Sequence, residues 1–499
     1  MDKVLLDYMS RVKSTFQQLS SQQRHSFLIE LLHCCDNQLL QIVYAWIIPK
    51  LKIDFFKELP KEIALHIISF LDEPQTLIDA SLVSRHWNSL LKDDTIWKSL
   101  CIKYHYHHLS SSSSSSNNNN SNGHQQPPFL MTTDHYQFFR RHYHIETAWN
   151  QGRGRMIPCC EVTHLMGLVT SMQMNEDYIV IGCDNNRIDV FDTRTGHHLR
   201  SLSDHEGGIW ALQFIKTSVG YVLVTGGCDR VTRVWDLDTG ELKYRLRGHI
   251  STIRCLKICD EKVAITGSRD TTLHIWDIDQ GQLRHVCTGH QGSVRCIDVY
   301  GNYLVSGSYD TTARLWDIER GECVYEFVGH HSQIYSIAFD GSKVVTGSLD
   351  SNIRVWSAKS GECLATLYGH TSLVGQLQLL DHTLVSGGSD GCLRVWDMNT
   401  YECKHRISAH DNSVTCLQFD KKRILSGGSD GEVKLWDMKT GTLLRTFIEP
   451  AKSIWKLQMI ETKAVIVMER KIQHHTQQPY QIAIELYDFD LLDDTMKHN

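Results

Sequence analysis

A chain of 499 residues with 41% apolar composition has material for two or three domains with buried cores. Its formal net charge of -6 and pI of 6.5 lack the basic excess of a general nucleic-acid or acidic-membrane binder, so any basic site must be local. The 16 cysteines show no paired C-x-x-C zinc spacing and read as reduced, mostly buried small residues; no stretch approaches the roughly 18 apolar residues of a spanning helix, and Met1-Asp2-Lys3-Val4 opens no signal core. The expectation is a soluble intracellular protein of the nucleus, the cytoplasm or both, with no cofactor or metal and no nucleic-acid or membrane partner.

Residues 1–54 read as helical. Val4, Leu5, Tyr8, Met9 and Val12 recur at helical spacing, and a richer apolar set follows in Phe27, Leu28, Leu31, Leu32, Leu39, Leu40, Val43, Trp46 and Ile47. Such faces pack on neighbouring helices or on a second copy. Residues 55–104 are also helical: Pro60 sits at a permitted first-turn position, Ile63, Ile67, Ile68 and Leu71 share a face, and Pro74 separates the next helix. Apolar spacing continues through Leu77, Ala80, Val83, Trp87, Leu91 and Trp97. So few residues can hardly bury two tryptophans unaided, which implies an external apolar partner. Residues 105–137 hold the run Ser110–Ser116, then Asn117–Asn120, and read as a low-complexity spacer with nothing apolar to offset ordering entropy. A linker helix is expected over 138–154.

From residue 155 to 490 the chain repeats itself, with 491–499 as a tail. An aromatic followed by Asp or Ser recurs at Phe191-Asp192, Trp235-Asp236, Trp276-Asp277, Trp316-Asp317, Trp356-Ser357, Trp396-Asp397, Trp436-Asp437 and Tyr487-Asp488. The successive spacings of 44, 41, 40, 40, 40, 40 and 51 residues match the roughly 40 to 45 of a four-stranded propeller blade. Segments such as Leu304–Asp310 and Ala313–Trp316 alternate short β-prone runs with a tight Asp-containing turn, which excludes a helical solenoid. The expected fold is an all-β, eight-bladed WD-repeat propeller behind an all-α region. Gly-His or a variant precedes most units, and each histidine should meet a turn Asp, a strand Ser or Thr and the Trp ring: His290, Asp310, Ser306 and Trp316 in blade 4; His330, Asp350, Thr346 and Trp356 in blade 5. A set that recurs is structural, whereas a hydrolase needs its triad once. Cys159–His164 is expected to close the ring as an outer strand of the last blade.

Two positions break the repeat. Five residues after the histidine stand Trp210, Arg254, Arg295, Tyr335, Gly375 and Thr415; just before the turn Asp stand Cys228, Arg269, Tyr309, Leu349, Ser389 and Ser429. Folding cannot require arginine where most blades lack it. Arg254, Arg269 and Arg295 therefore read as a cationic pocket at one mouth of the channel, walled by Trp210, Tyr309 and Tyr335, with Arg230 within reach of the rim. Guanidinium forks suit a phosphoester dianion.

The motifs Leu59-Pro-Lys-Glu-Ile63, Ile68-Ser-Phe-Leu71, Val83-Ser-Arg-His-Trp87 and Ile96-Trp97 resemble the F-box, the helical module that binds the Skp adaptor of Skp-cullin-F-box ubiquitin ligases. Followed by a WD propeller, they resemble the F-box/WD-repeat substrate receptors of the cell-division-control type. The resemblance implies a non-catalytic receptor subunit that promotes ubiquitination and degradation in the cell cycle, with cullin reached through the adaptor. It places Leu59, Pro60, Ile63, Ile67, Leu71, Leu77, Trp87 and Trp97 among the adaptor-facing residues and makes 1–54 a homodimerisation region. It also implies that Arg254, Arg269, Arg295 and Tyr309 contact phosphothreonine, that Trp210, Ser251, Thr252 and Tyr335 line the peptide groove, and that proline follows the phosphothreonine with an apolar residue before it. Cys228 departs from the family, where a hydroxyl residue is usual. The rival readings are a non-ligase scaffold for phosphorylated signalling partners, a propeller hydrolase and an RNA-phosphate binder.

Overall fold

The computed structural model describes residues 3–51, 54–104, 106, 134–159, 167–447, 451–471 and 480–491. They fall into two compact units, Met1–Arg140 and Arg141–Asn499.

The first unit is helical. Helices α1 (Lys3–Gln18), α2 (Ser21–His33) and α3 (Asn37–Leu51) carry the N-terminal apolar pattern. A capping box at Ser20 and Gln23 starts α2 by satisfying two orphan donors. Short helices α4 (Phe55–Glu58), α5 (Lys61–Ile68), α6 (Pro74–Ser81), α7 (Arg85–Leu91) and α8 (Asp94–Lys103) follow, with Pro74 in the first turn of α6 and side-chain caps from Ser84 and Asp93 opening α7 and α8. Helix α9 spans His135–Gln151, ahead of the expected 138–154. The Asp134 carboxylate accepts the N–H groups of Tyr136 and Gln137, which fixes its start, and Gly152 in a left-handed conformation (φ 66°) ends it. Most of the expected spacer lies outside the described residues.

The second unit is eight four-stranded antiparallel sheets. Blades 1 to 7 span 169–202, 209–246, 253–287, 294–327, 334–367, 374–408 and 414–446; blade 8 takes three strands from 453–488. Its fourth, outermost strand is Arg155–Pro158, which pairs with Glu485–Asp488. The closing strand thus lies just before the expected Cys159–His164, of which 160–164 fall outside the described residues. Strand pairing selects this earlier segment, which follows α9 directly, and it covers the edge of blade 8. Second strands such as Val263–Ser268 are buried throughout, and outer strands such as Gln282–Cys287 are mostly exposed.

Six blades contain the histidine network. In blade 3 the Trp276 indole donates to Thr266 Oγ1 (2.8 Å), which meets His249 Nε2 (2.8 Å), while His249 Nδ1 meets Asp270 (2.8 Å). The same chain runs through His205, His290, His330, His370 and His410, so the degenerate Asp204-His205 and Ala409-His410 copies are complete. Burial alone would raise the Asp270 and Asp310 carboxyls, but bonds from histidine, a threonine hydroxyl and the backbone outweigh it and hold both below the usual range. Burial keeps His205, His330, His370 and His410 below the ordinary imidazole value in spite of their aspartates. In blade 5, Ser357 replaces the Asp that follows the Trp in the neighbouring blades, and its hydroxyl accepts the Lys359 and Ser360 amides (3.3 and 3.1 Å).

Adjacent blades are joined by a side chain that imitates a peptide. Gln173 donates to Phe214 O (2.9 Å) and accepts Phe214 N (2.6 Å), and Gln378, Gln418 and Gln458 make the same pair with Phe419, Met459 and Met174. Gln213 accepts Ile258 N (2.7 Å). Between blades 3 and 4 a Lys257–Asp298 ion pair (3.1 Å) takes over, and Asp298 then accepts Phe339 N (3.0 Å). Only Ala338 of blade 5 offers no such group; there Ser336 Oγ donates to Val374 O (2.9 Å).

Among the described residues no helix is long and apolar enough to cross a membrane, and no three metal-type ligands gather. Burial raises the Cys183, Cys255, Cys259 and Cys287 thiols to about 12, while Cys34, Cys228, Cys323, Cys363 and Cys403 are exposed, more than expected.

Two outcomes follow for stability. Gln458→Ala orphans a donor and an acceptor at the closing joint and should cost about 2 to 3 kcal/mol in urea unfolding, against less than about 1 kcal/mol for an exposed glutamine such as Gln22. As pH falls below 6.5 the unfolded chain takes up imidazole protons that the folded propeller refuses. Its melting temperature should therefore be lower at pH 5.5 than at pH 7.5, each of the four depressed histidines contributing up to about 1.4 kcal/mol; an unchanged or higher value at pH 5.5 would contradict this.

Candidate functional site

Every blade places a β-bulge at one point of its first strand. The register slips at Val169/Ser171, Ile209/Ala211, Ile253/Cys255, Val294/Cys296, Ile334/Ser336, Val374/Gln376, Val414/Cys416 and Ile454/Lys456. The bulged residues in blades 2 to 7 are Trp210, Arg254, Arg295, Tyr335, Gly375 and Thr415, the first of the two irregular positions. A bulged residue leaves the ladder and its side chain is re-aimed, here at the channel mouth. The second position is tied beside it: Arg269 N donates to Thr252 O (2.9 Å) and Tyr309 N to Ser293 O (3.0 Å), and Cys228, Leu349, Ser389 and Ser429 repeat the bond.

Blades 2 to 5 thereby bring Arg254 to Trp210, and Arg295 to Tyr335 with Tyr309 beside it. The Arg254 guanidinium lies 4.4 Å from the Trp210 ring centre and that of Arg295 5.8 Å from Tyr335, whose ring is 5.2 Å from Tyr309. Burial, then the Tyr309 hydroxyl, raises the Tyr335 phenol, while the positive charges of Arg295 and Arg254 act against that rise. Arg269 is exposed at the end of its strand. Ser251 and Thr252 are half-buried, their carbonyls accepting Ser268 Oγ (3.1 Å) and Arg269 N (2.9 Å). Arg230 is exposed, in a left-handed turn (φ 67°) where blades 6 and 7 use Gly391 and Gly431. Cys228 accepts from the Trp210 indole (3.0 Å). Among the described residues no carboxylate pairs with Arg230, Arg254, Arg269 or Arg295, whereas Arg233, Arg245, Arg284 and Arg314 away from the mouth all have acidic partners.

The bulges also assign Thr170 and Trp455 to the ring, which the histidine offset could not find because blades 1 and 8 lack that histidine. Counting one 40-residue period from Thr415 would have reached Trp455. Another feature missed in the sequence is an unrepeated Asp189, His198 and Ser201 cluster in blade 1. Asp189 Oδ1 (2.9 Å) and Ser201 Oγ (3.1 Å) converge on the same His198 Nε2, so the ring cannot relay a proton between them as a triad does.

In the helical unit the structure corrects the adaptor-facing set. Leu77 (1% exposed) and Trp97 (4%) belong to the module's own core: the Trp97 indole donates to Leu91 O (2.7 Å) and packs on Tyr136 and Phe139. Helix α9 supplies the burial that residues 55–104 lack. Trp87 is half-buried, donates to Asp54 (2.8 Å) and packs on Phe55 and Phe56. Leu59 and Leu71 are half-buried; Pro60, Ile63 and Ile67 are exposed, joined by Phe70 (72%), Leu82 (78%) and Val83 (64%).

Comparison with known proteins agrees with this division. The F-box-like family matches residues 56–103, and the WD domain, G-beta repeat, matches 196–236, 240–277, 281–317, 321–357, 361–397 and 401–437. WD repeat-containing protein pop1 of Schizosaccharomyces pombe is 31% identical over 50% of this chain and 31% of its own length. Cell division control protein 4 of Saccharomyces cerevisiae is 30% identical over 48% and 30%, and F-box/WD repeat-containing protein 7 of Drosophila melanogaster 36% identical over 40% and 14%. The aligned part thus spans about a third of the first relatives or less. The crystal structure of the computationally designed Ika8 protein superposes with a TM-score of 0.58 at 31% identity, covering 64% of this chain and 96% of that one. With an F-box-like module followed by a WD propeller, the chain belongs to the F-box/WD-repeat proteins of the cell-division-control type.

Proposed function

We propose that the chain is the substrate-recognition subunit of a Skp-cullin-F-box E3 ubiquitin ligase, and that its propeller binds degrons of the phosphothreonine-proline type. The observation that carries this reading is the group of arginines at the mouth, aromatic-walled and without acidic partners, in a chain that also has an F-box-like module. A phosphothreonine brings a charge of roughly -1.5 to -2 and three acceptor oxygens to these forks. An apolar residue before it meets the Trp210 face, and Tyr309 adds a hydroxyl donor. Arg230 extends the basic rim.

The chain performs no bond chemistry in this reading. The exposed face of Pro60, Ile63, Ile67, Phe70, Leu82 and Val83 holds the Skp adaptor and, through it, cullin; the propeller holds the substrate, raising the effective concentration of its lysines near a charged conjugating enzyme. Exposed Leu5, Met9, Leu28, Leu31 and Trp46 on α1 to α3 suit a second copy of the chain in the nucleus or the cytoplasm.

Replacing Arg254, Arg269 or Arg295 singly by alanine should weaken a phosphothreonine-proline peptide by about one to two decades in Kd, measured by calorimetry; changes below about twofold would count against the reading. An Ile63→Glu/Val83→Glu variant should lose co-purification with the Skp adaptor while keeping peptide affinity; retention of the adaptor would favour a non-ligase scaffold. Leu28→Glu should convert a dimer to a monomer by light scattering, and a wild-type monomer would remove the dimer proposal.

A further inference from the structure

The aromatic residues at bulged positions carry polar atoms, and each of these atoms is tied down. Tyr335 donates its hydroxyl to Gln333 Oε1 (3.2 Å) and Trp455 its indole N–H to Ser453 Oγ (2.7 Å), both acceptors lying two residues earlier in the chain. Trp210 is held differently. Its acceptor is Cys228 Sγ (3.0 Å), just past the end of the next strand and at the other irregular position of the same blade. Cys228 is itself fixed: its N–H donates to Gly208 O (2.9 Å), and a Cβ on Gly207 would lie 2.9 Å from its own Cβ.

The Trp210 side chain is 37% exposed, so packing leaves its ring room to turn. An indole has one hydrogen to donate and nothing to accept with, so the bond to sulfur selects one orientation of the ring. That ring is the seat of Arg254, whose guanidinium lies 4.4 Å from its centre. A cation is drawn to the face of an aromatic ring and not to its edge. The angle of the indole therefore decides where the guanidinium stands, and a chain of contacts runs from Cys228 in blade 2 through Trp210 to Arg254 in blade 3.

We infer that Cys228 is a positioning residue for phosphopeptide binding: its sulfur fixes the Trp210 indole, and the fixed indole holds Arg254 where the phosphate arrives. This rests on the phosphodegron reading and deepens it, since Cys228 acts through Trp210 and not by touching the phosphate. The same bond keeps the Trp210 face turned to the apolar residue before the phosphothreonine.

The test is a double-mutant cycle, read by calorimetry on the full chain with a phosphothreonine-proline peptide and its unphosphorylated form. Phenylalanine at position 210 keeps a ring under Arg254 but offers no N–H for the sulfur to hold. Cys228→Ala should weaken binding of the phosphorylated peptide by about three- to tenfold when Trp210 is present, and by less than about twofold beside Trp210→Phe. Cys228→Ser, whose hydroxyl accepts the same N–H, should stay within about twofold of wild type. A loss of packing or of fold would instead lower affinity by the same factor in both backgrounds. Equal losses in the two backgrounds, no loss in Cys228→Ala, or a serine variant as weak as the alanine variant would overturn the positioning role alone. A wild type that does not prefer the phosphorylated peptide would overturn the phosphodegron reading, and the positioning role with it.

Discussion

Each blade is a small sheet that cannot bury both faces by itself, so the molecule depends on how one blade grips the next. The grip is a glutamine that presents an amide to a backbone amide, as a neighbouring strand would. At the closing joint Gln458 donates to Met174 O (3.0 Å) and accepts its N–H (2.6 Å). Where the glutamine is missing, a Lys257–Asp298 pair or the Ser336 hydroxyl takes its place, so every joint keeps a polar link. A buried peptide group left without a partner costs more than the bond gains, which is why substitutes are found.

This closure makes the mouth a fixed frame. Bulges recur at equivalent points, so residues from separate blades converge with no loop to order first. Scaffold and site use different residues. The histidine networks and glutamine clamps carry the polar groups folding needs, which leaves the bulged positions free to vary: they hold arginine in blades 3 and 4, tyrosine in blade 5 and tryptophan in blades 2 and 8. Aromatic faces beneath Arg254 and Arg295 hold those cations without neutralising them, as a carboxylate would.

The sequence exposed what is periodic. The 40-residue spacing yielded eight blades, the histidine partners followed from it, and Arg254, Arg269 and Arg295 stood out because neighbouring blades lack them. What it concealed depends on which strand or helix arrives from elsewhere. Arg155–Pro158 closes the ring rather than the expected Cys159–His164, since pairing along Glu485–Asp488 decides it. Trp97 looked like a docking residue because its partner, α9, lies beyond a long polar segment in the sequence. Gln173 and its equivalents look like ordinary strand residues until their distances are known. Trp455 sits in the blade whose repeat is least regular.

The central claim is that the mouth distinguishes a phosphate dianion from lesser charge. It is tested most directly by titrating the full chain with one Thr-Pro peptide in three forms: phosphorylated, with glutamate in place of threonine, and unmodified. The account predicts that the phosphorylated form binds tighter than the unmodified one by about two to four decades, with glutamate near the unmodified form. Equal affinity for all three would contradict it.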